Sequence, residues 1–252
     1  MTPTPRLSAL VVAHDEAANL AALLPLLSPA DEVVVVLDRC SDDSRGVAER
    51  HGARLVEGAW PIEGERRNLG IATCGGDWIL EVDADERPPA ALFEEIRRTI
   101  ATAAPGYFLV PFDNYIGERL VRHGWGANWG VSAAPRLFSK DAKSWGNQRI
   151  HPKVTLQGPK RFLQTPMVHL VDRDISDMLK RLDRYSTARA RDLRASGEIG
   201  DFRNNFRRLF SRFLKCYVGR KGYREGAYGF LIALLAGLYP MLSYLKARYE
   251  RE

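Results

Sequence analysis

The residues from Gly75 to Glu86, Gly-Gly-Asp-Trp-Ile-Leu-Glu-Val-Asp-Ala-Asp-Glu, limit what this chain can fold into more than any others. Two glycines mark a turn, Trp78 to Val82 supplies a short, mostly apolar run, and Pro88-Pro89 stops the strand that the run predicts. Carboxylates then stand at the carboxyl end of that strand, where open α/β sheets bind ligands. Side chains two apart on an extended segment share a face, so Asp83 and Asp85 are expected to point at one ligand. Their hard oxygen atoms suit Mg2+ or Mn2+, ions that keep coordination positions for phosphate oxygens. A bare Asp-x-Asp also fits a solvated acidic turn, so the rest of the chain has to decide.

The preceding residues place that strand in a series. Leu7 to Ala13 reads as a buried parallel strand, and Leu20, Leu23, Leu24 and Leu27 follow at helical spacing. Val33 to Leu37 predicts a second strand, and Ser41 or an acid after it would cap a helix running through Arg50. Ala53 to Val56 predicts a third strand, Glu63 to Ala72 a helix, and Pro89 to Ile100 another with Leu92, Phe93 and Ile96 on one face. Strands alternating with helices predict a parallel sheet built from βαβ units. Its strand ends would line up His14-Asp15-Glu16, Asp38 and the Asp83/Asp85 pair along one edge. Neither G-x-G-x-x-G nor G-x-x-x-x-G-K-[ST] follows the first strand. Dinucleotide and P-loop modes therefore lose support, and a metal on the Asp pair is the natural way to meet phosphate charge.

Length and charge narrow the classes further. A chain of 252 residues makes one large domain, or a smaller one with an appendage. Its net charge of +6 favours an anionic partner. Cys40, Cys74 and Cys216 are scattered without a C-x-x-C, which predicts a reducing setting and no structural zinc. Met1 to Arg6 is too short and too rich in proline to read as a signal peptide.

Four motifs in order resemble the family 2 glycosyltransferases of the GT-A fold. They are Leu10-Val-Val-Ala-His-Asp-Glu-Ala-Ala-Asn-Leu20, Glu32 to Asp38 with the Ser41-Asp-Asp-Ser44 turn, Gly64-Glu-Arg-Arg-Asn68, and Trp78 to Glu86. Later features are similar to the branch that includes lipopolysaccharide-core glucosyltransferases: Arg136-Leu137-Phe138, Trp145, the His151 region, His169 and the C-terminal aromatic segment. The resemblance implies an α/β, GT-A (Rossmann-like) fold with a mostly parallel central sheet flanked by helices and a C-terminal amphipathic or hydrophobic helical region. It also implies a division into a nucleotide-sugar-binding half (1–104), an acceptor-binding half (105–171) and a helical, membrane-associating region (172–252).

The same resemblance implies metal-dependent, inverting transfer from a nucleotide-sugar, foremost a UDP-sugar, to a lipid-linked or lipopolysaccharide-core acceptor. Asp38 would hydrogen-bond the nucleobase, framed by the Ala13 backbone and Glu16, and Arg67 would approach the base or phosphates. Asp83 would face ribose and metal, and Asp85 would hold the catalytic Mn2+ or Mg2+. A turn aspartate and a solvated helix-face arginine are the plainer readings of Asp38 and Arg67.

Inversion needs a base for the acceptor proton. The resemblance places it in a His-Glu pair after Trp145, and here the pair reads His151-Pro152. Either His151 takes the proton, or Asp113, Asp172 or Asp174 does, or the activity is altered. Trp125, Trp129 and Trp145 are candidates to stack on sugar rings, with core anchoring as the alternative. His169 is a candidate for phosphate or metal contact, or a core histidine.

From Phe202 to Arg224 arginines and lysines interleave with aromatics, a pattern suited to an anionic membrane surface. Ala227 to Leu245 carries no charge but contains Pro240. It is expected to lie on or dip into the cytoplasmic leaflet, with a buried helical hairpin or a dimer interface as the alternative. The expected setting is therefore cytoplasmic and peripheral at the inner face of the cell membrane, without nucleic acid and with oligomeric state open. A polyprenyl phosphate acceptor and a non-catalytic nucleotide-sugar-binding scaffold complete the range of readings.

Overall fold

A computed structural model of the chain describes residues 4–127, 129–147 and 153–250. Two compact units emerge, Met1–Phe112 with Ala133–His169, and Asp113–Ser132 with Leu170–Glu252.

In the first unit β1 (Leu7–Ala13) leads into α1 (Ala17–Leu23), β2 (Glu32–Asp38) into α2 (Ser44–Arg50), and β3 (Arg54–Gly58) into α3 (Glu63–Thr73). β4 (Trp78–Val82) runs through the short β5 (Glu86–Arg87) into α4 (Ala90–Ile100). β1 pairs in parallel with β2 and β4, and β2 with β3, so the strands lie in the order β3-β2-β1-β4. β6 (Tyr107–Ile116) crosses into the second unit and turns back as β7 (Arg119–Leu120). β8 (Ala133–Ser139) then lies antiparallel to both β4 and β6. β9 (Lys143–Trp145) pairs with β10 (Val154–Leu156), β11 (Lys160–Phe162) joins β6, and β12 (Met167–Asp172) pairs with β5.

The apolar runs of β1, β2 and β4 do not alternate with polar residues because both faces of the sheet are covered. Leu7, Ala9, Val11, Val35, Leu37, Leu80 and Val82 pack on one side with α1, α2 and α4. Leu10, Val34, Val36 and Ile79 pack on the other with Ile71 of α3. Such double burial is what a parallel strand requires. This is the GT-A, Rossmann-like α/β sheet that the motifs implied.

In the second unit α5 (Ile175–Ser196) leads by a short loop into α6 (Phe202–Leu214), two short helical turns (Lys215–Gly219 and Gly222–Glu225) lead on to α7 (Ala227–Tyr249), and α7 packs against both other helices. Asp174 and Asp201 accept hydrogen bonds from Asp177 N and Asn204 N, each 2.8 Å, and so cap α5 and α6. α7 is apolar on every side and mostly covered: Ile232, Ala233, Leu235, Ala236 and Met241 are buried, while Phe230 is 48% exposed. The uncharged run, read as a leaflet segment or a buried helical hairpin, forms this helix, which packs against α5 and α6 and is also long and apolar enough to cross a membrane. Its Gly237 is a contact point, since a Cβ there would stand 2.6 Å from the Leu209 carbonyl oxygen of α6.

Residues 113–132, expected in the acceptor half, cluster instead with these helices. Trp125 and Trp129 carry them there, 2% and 0% exposed, among Met178, Cys216, Ile232 and Leu235. Trp125 donates to Val121 O at 2.6 Å, and the Arg181 guanidinium lies 4.2 Å from the Trp129 ring.

Candidate active site

The carboxyl ends of β1, β2 and β4 bring two groups of charge together. At the end of β2, Asp38 is fully buried. Its Oδ1 accepts from Arg39 Nε and Trp60 N at 3.0 Å each, and its Oδ2 from Arg39 Nη2 at 2.8 Å and Arg66 Nη1 at 2.5 Å. Burial alone would raise the Asp38 pKa, but the Arg39 and Trp60 hydrogen bonds and the Arg66 charge hold it below the ordinary value. Nearby, His14 Nδ1 lies 2.6 Å from Asp38 O, Asn19 Nδ2 donates to Glu16 Oε2 at 2.7 Å, and Ala13 is buried in the strand. Asp38 and Glu16 therefore stand on adjacent strand ends, as expected, with Arg39 folded over the aspartate.

At the end of β4 the chain does not stay extended. Glu86 N donates to Asp83 O at 2.9 Å, so Asp83 to Glu86 form a turn and the two aspartates face different surroundings. Asp83 is paired with Arg136, and more loosely with Arg67 at 3.4 Å. Burial opposes its ionisation, but the two guanidinium charges win and hold its pKa well below the ordinary carboxylate range. Asp85 keeps 42% of its side chain exposed, and its Oδ2 lies 3.5 Å from His169 Nε2. The shared face expected from strand geometry is thus replaced by a division. Asp83 ties the turn to arginines, and Asp85 presents a carboxylate beside an imidazole.

Beneath the turn lies a buried ionic network that the sequence did not suggest. Glu81 is paired with Lys143 and, at 2.5 Å, with Arg67. Its burial would raise its pKa, but those two cations bring it down to about 2. Arg136 also reaches Glu86 Oε1 at 2.5 Å. Arg136 is shared between Asp83 and Glu86, and Arg67 adds its charge on the Asp83 side alone. Burial and the Asp83 charge push Glu86 up to about 7, while Asp83 keeps the ionised state. A glutamate inside an apolar strand run was the available signal, since a buried acid requires a cation.

Trp145 belongs to the same network. Asn68 clamps its backbone, accepting from Trp145 N at 2.8 Å and donating to Trp145 O at 2.7 Å. Its ring is flanked by Arg67 at 4.7 Å and Lys143 at 5.0 Å. Trp145 thus holds the cations that hold the acids. Trp125 and Trp129, candidates for sugar stacking or for core anchoring, are core residues and offer no open face.

His151 lies outside the described residues. Of the carboxylates considered in its place, Asp172 is buried 2.7 Å from Arg181, Asp174 caps α5, and Asp113 lies 3.8 Å from Arg122. Each already serves the second unit. Among the described residues the cluster with three close metal-donor atoms is Asp15, Cys40 and Asp42, a loop that spans the ends of β1 and β2.

A sequence model of Glycosyl transferase family 2 matches residues 8–154. A protein of Rickettsia felis called "Uncharacterized glycosyltransferase" is 25% identical over 258 residues, covering 96% of this chain and 89% of its own length. The "Lipopolysaccharide core biosynthesis glycosyltransferase LpsC" of Rhizobium meliloti is 22% identical over 272 residues, covering 100% of this chain and 94% of its own. Glucosyl-3-phosphoglycerate synthase from Mycobacterium tuberculosis, solved with Mn2+ and UDP-glucose, matches with 24% identity and a TM-score of 0.37. That match covers 44% of each chain, so the chain spans less than half the length of this solved structure.

Proposed function

The chain belongs to glycosyl transferase family 2, and on that premise we propose that it moves a sugar from a nucleotide-sugar to a lipid-linked or lipopolysaccharide-core acceptor. The observation that carries this reading is the turn after β4, where Asp83 is neutralised by arginines and Asp85 stands half-exposed beside His169. Asp38 receives the nucleobase at the end of β2, with Arg39 moving aside. A half-exposed carboxylate suits Mn2+ or Mg2+, so Asp85 would hold the ion, and the imidazole of His169 beside it would favour Mn2+ over the harder Mg2+. When bound, the metal supplies charge stabilisation for the departing diphosphate. Arg67 and Arg136 fix the turn that presents Asp85, and Glu81 and Trp145 fix those arginines. LpsC, 22% identical over 94% of its length, supports the choice of a lipopolysaccharide-core acceptor.

The absence of a carboxylate after His151 favours a second acceptor, polyprenyl phosphate, which is already an anion and needs no strong base. His151→Ala would then leave transfer nearly intact, whereas a dead variant would exclude that acceptor.

The test is a thermal-shift screen of UDP-, GDP- and dTDP-sugars with and without Mn2+ or Mg2+, on the intact chain and on Asp85→Ala. A ligand that binds only the native state raises its melting temperature. A metal-dependent rise with one nucleotide class, lost in Asp85→Ala, is expected. No rise with any of them would overturn the reading.

A further inference from the structure

We propose that the outer face of α6 is a membrane-docking surface that lies in the plane of an anionic bilayer. Phe202, Phe206, Phe210, Leu214 and Val218 recur at intervals of four along α6 and the turn after it, and they are 47% to 57% exposed. The adjoining face of the helix and the turn after it, through Asn205, Leu209 and Cys216, is turned into the unit against α7. The phenylalanines also touch each other in a ladder, with ring centroids 5.8 Å apart for Phe202–Phe206 and 5.1 Å for Phe206–Phe210. A contiguous apolar stripe of this kind marks an interaction surface rather than ordinary scatter.

Charge decides the occupant. Residues 202–224 hold eight of the 37 Lys and Arg residues and none of the 31 Asp and Glu residues. The remainder of the chain therefore carries 29 bases against 31 acids, and this one stretch accounts for the whole positive excess. Exposed Arg203 and Arg207 each follow a stripe phenylalanine by one residue, about 100° round the helix. That is the edge position from which long cationic side chains reach headgroups while the aromatics enter the acyl boundary. A second copy of the chain would set two such cationic surfaces against each other, which disfavours self-association. Nucleic acid would satisfy the charge and leave the apolar stripe in water. An anionic lipid surface satisfies both.

The proposal does not rest on the transferase reading, and its test reads no activity. The intact chain is mixed with vesicles of phosphatidylcholine, with and without phosphatidylglycerol, and the bound fraction is measured by flotation at rising salt. Binding to anionic vesicles only, weakening with salt, is expected. Replacing Phe206 and Phe210 with Ser, or Arg203 and Arg207 with Glu, should each lower the partition coefficient about tenfold or more. Tyr249→Ser, at an exposed aromatic outside the stripe (73%), should leave it unchanged. Circular dichroism and melting temperature identify any variant that has failed to fold, and the paired Phe and Arg variants then serve as independent checks. The proposal is overturned if the intact chain ignores anionic vesicles, or if folded stripe variants bind them as well as it does. It is equally overturned if the same substitutions abolish binding to RNA, or a dimer seen by light scattering, while leaving vesicle binding intact.

Discussion

Arg39 folds back over the residue before it, with Nη2 2.8 Å and Nε 3.0 Å from the Asp38 carboxylate. It does so with φ at +54°, a left-handed conformation uncommon outside glycine. More than half of its side chain remains exposed, so it can leave without disturbing the core. In the proposed function a nucleobase takes the place of Arg39. Arg39→Ala should therefore tighten UDP binding by about threefold to tenfold, the modest net worth of an exposed two-bond contact, as measured by titration calorimetry. Weaker binding would mean that Arg39 itself grips the nucleotide.

Glu86 should show its proton in the pH dependence of stability. Its folded pKa of about 7 lies above the ordinary 4.5, so the neutral form is favoured in the native state. Its stabilising contribution is fully present below about pH 4.5 and is lost as pH rises through 7. Glu86→Gln mimics the neutral form and escapes that loss. The stability difference between variant and parent should therefore grow with pH across this window and level off above it. The change should reach at most about 3 kcal/mol, from the linkage of 1.36 kcal/mol per unit. A flat difference would place the proton elsewhere in the network.

Gly237 is the third test. Its missing Cβ leaves room for the Leu209 carbonyl, 2.6 Å from where that atom would stand. Backbone at that distance cannot rotate away, so α6 and α7 have to separate. Gly237→Ala should cost about 1–3 kcal/mol despite its better helix propensity, visible as a lowered denaturation midpoint. A neutral or stabilising result would show that the two helices pack further apart.

The sheet was legible because parallel strands buried on both faces leave unbroken apolar runs. Trp78 to Val82 was bounded as observed, and Leu7 to Ala13 likewise. The places of Asp38 at the end of β2 and of Asp85 just past β4 were legible because strand ends in such a sheet face one edge. The ionic network was not, since Arg136 and Lys143 come from strands more than fifty residues downstream of Glu81. Local spacing contains no trace of that pairing. The division of Asp83 from Asp85 was hidden for a similar reason, because Asp83 is drawn to Arg136, which arrives more than fifty residues later. Trp125 and Trp129 stand among glycines and read as a loop, yet they are held by helices that begin beyond residue 174.

That last separation sets a timetable for the chain as it is made. Trp129 leaves the ribosome about 110 residues before Tyr239, a member of the same core. At roughly 5–20 residues per second, two bare tryptophans then wait for about 5 to 20 s before α7 can cover them. The first unit can close around its sheet in the meantime. Residues 113–132 cannot, because the residues that cover their tryptophans run from Met178 to Tyr239.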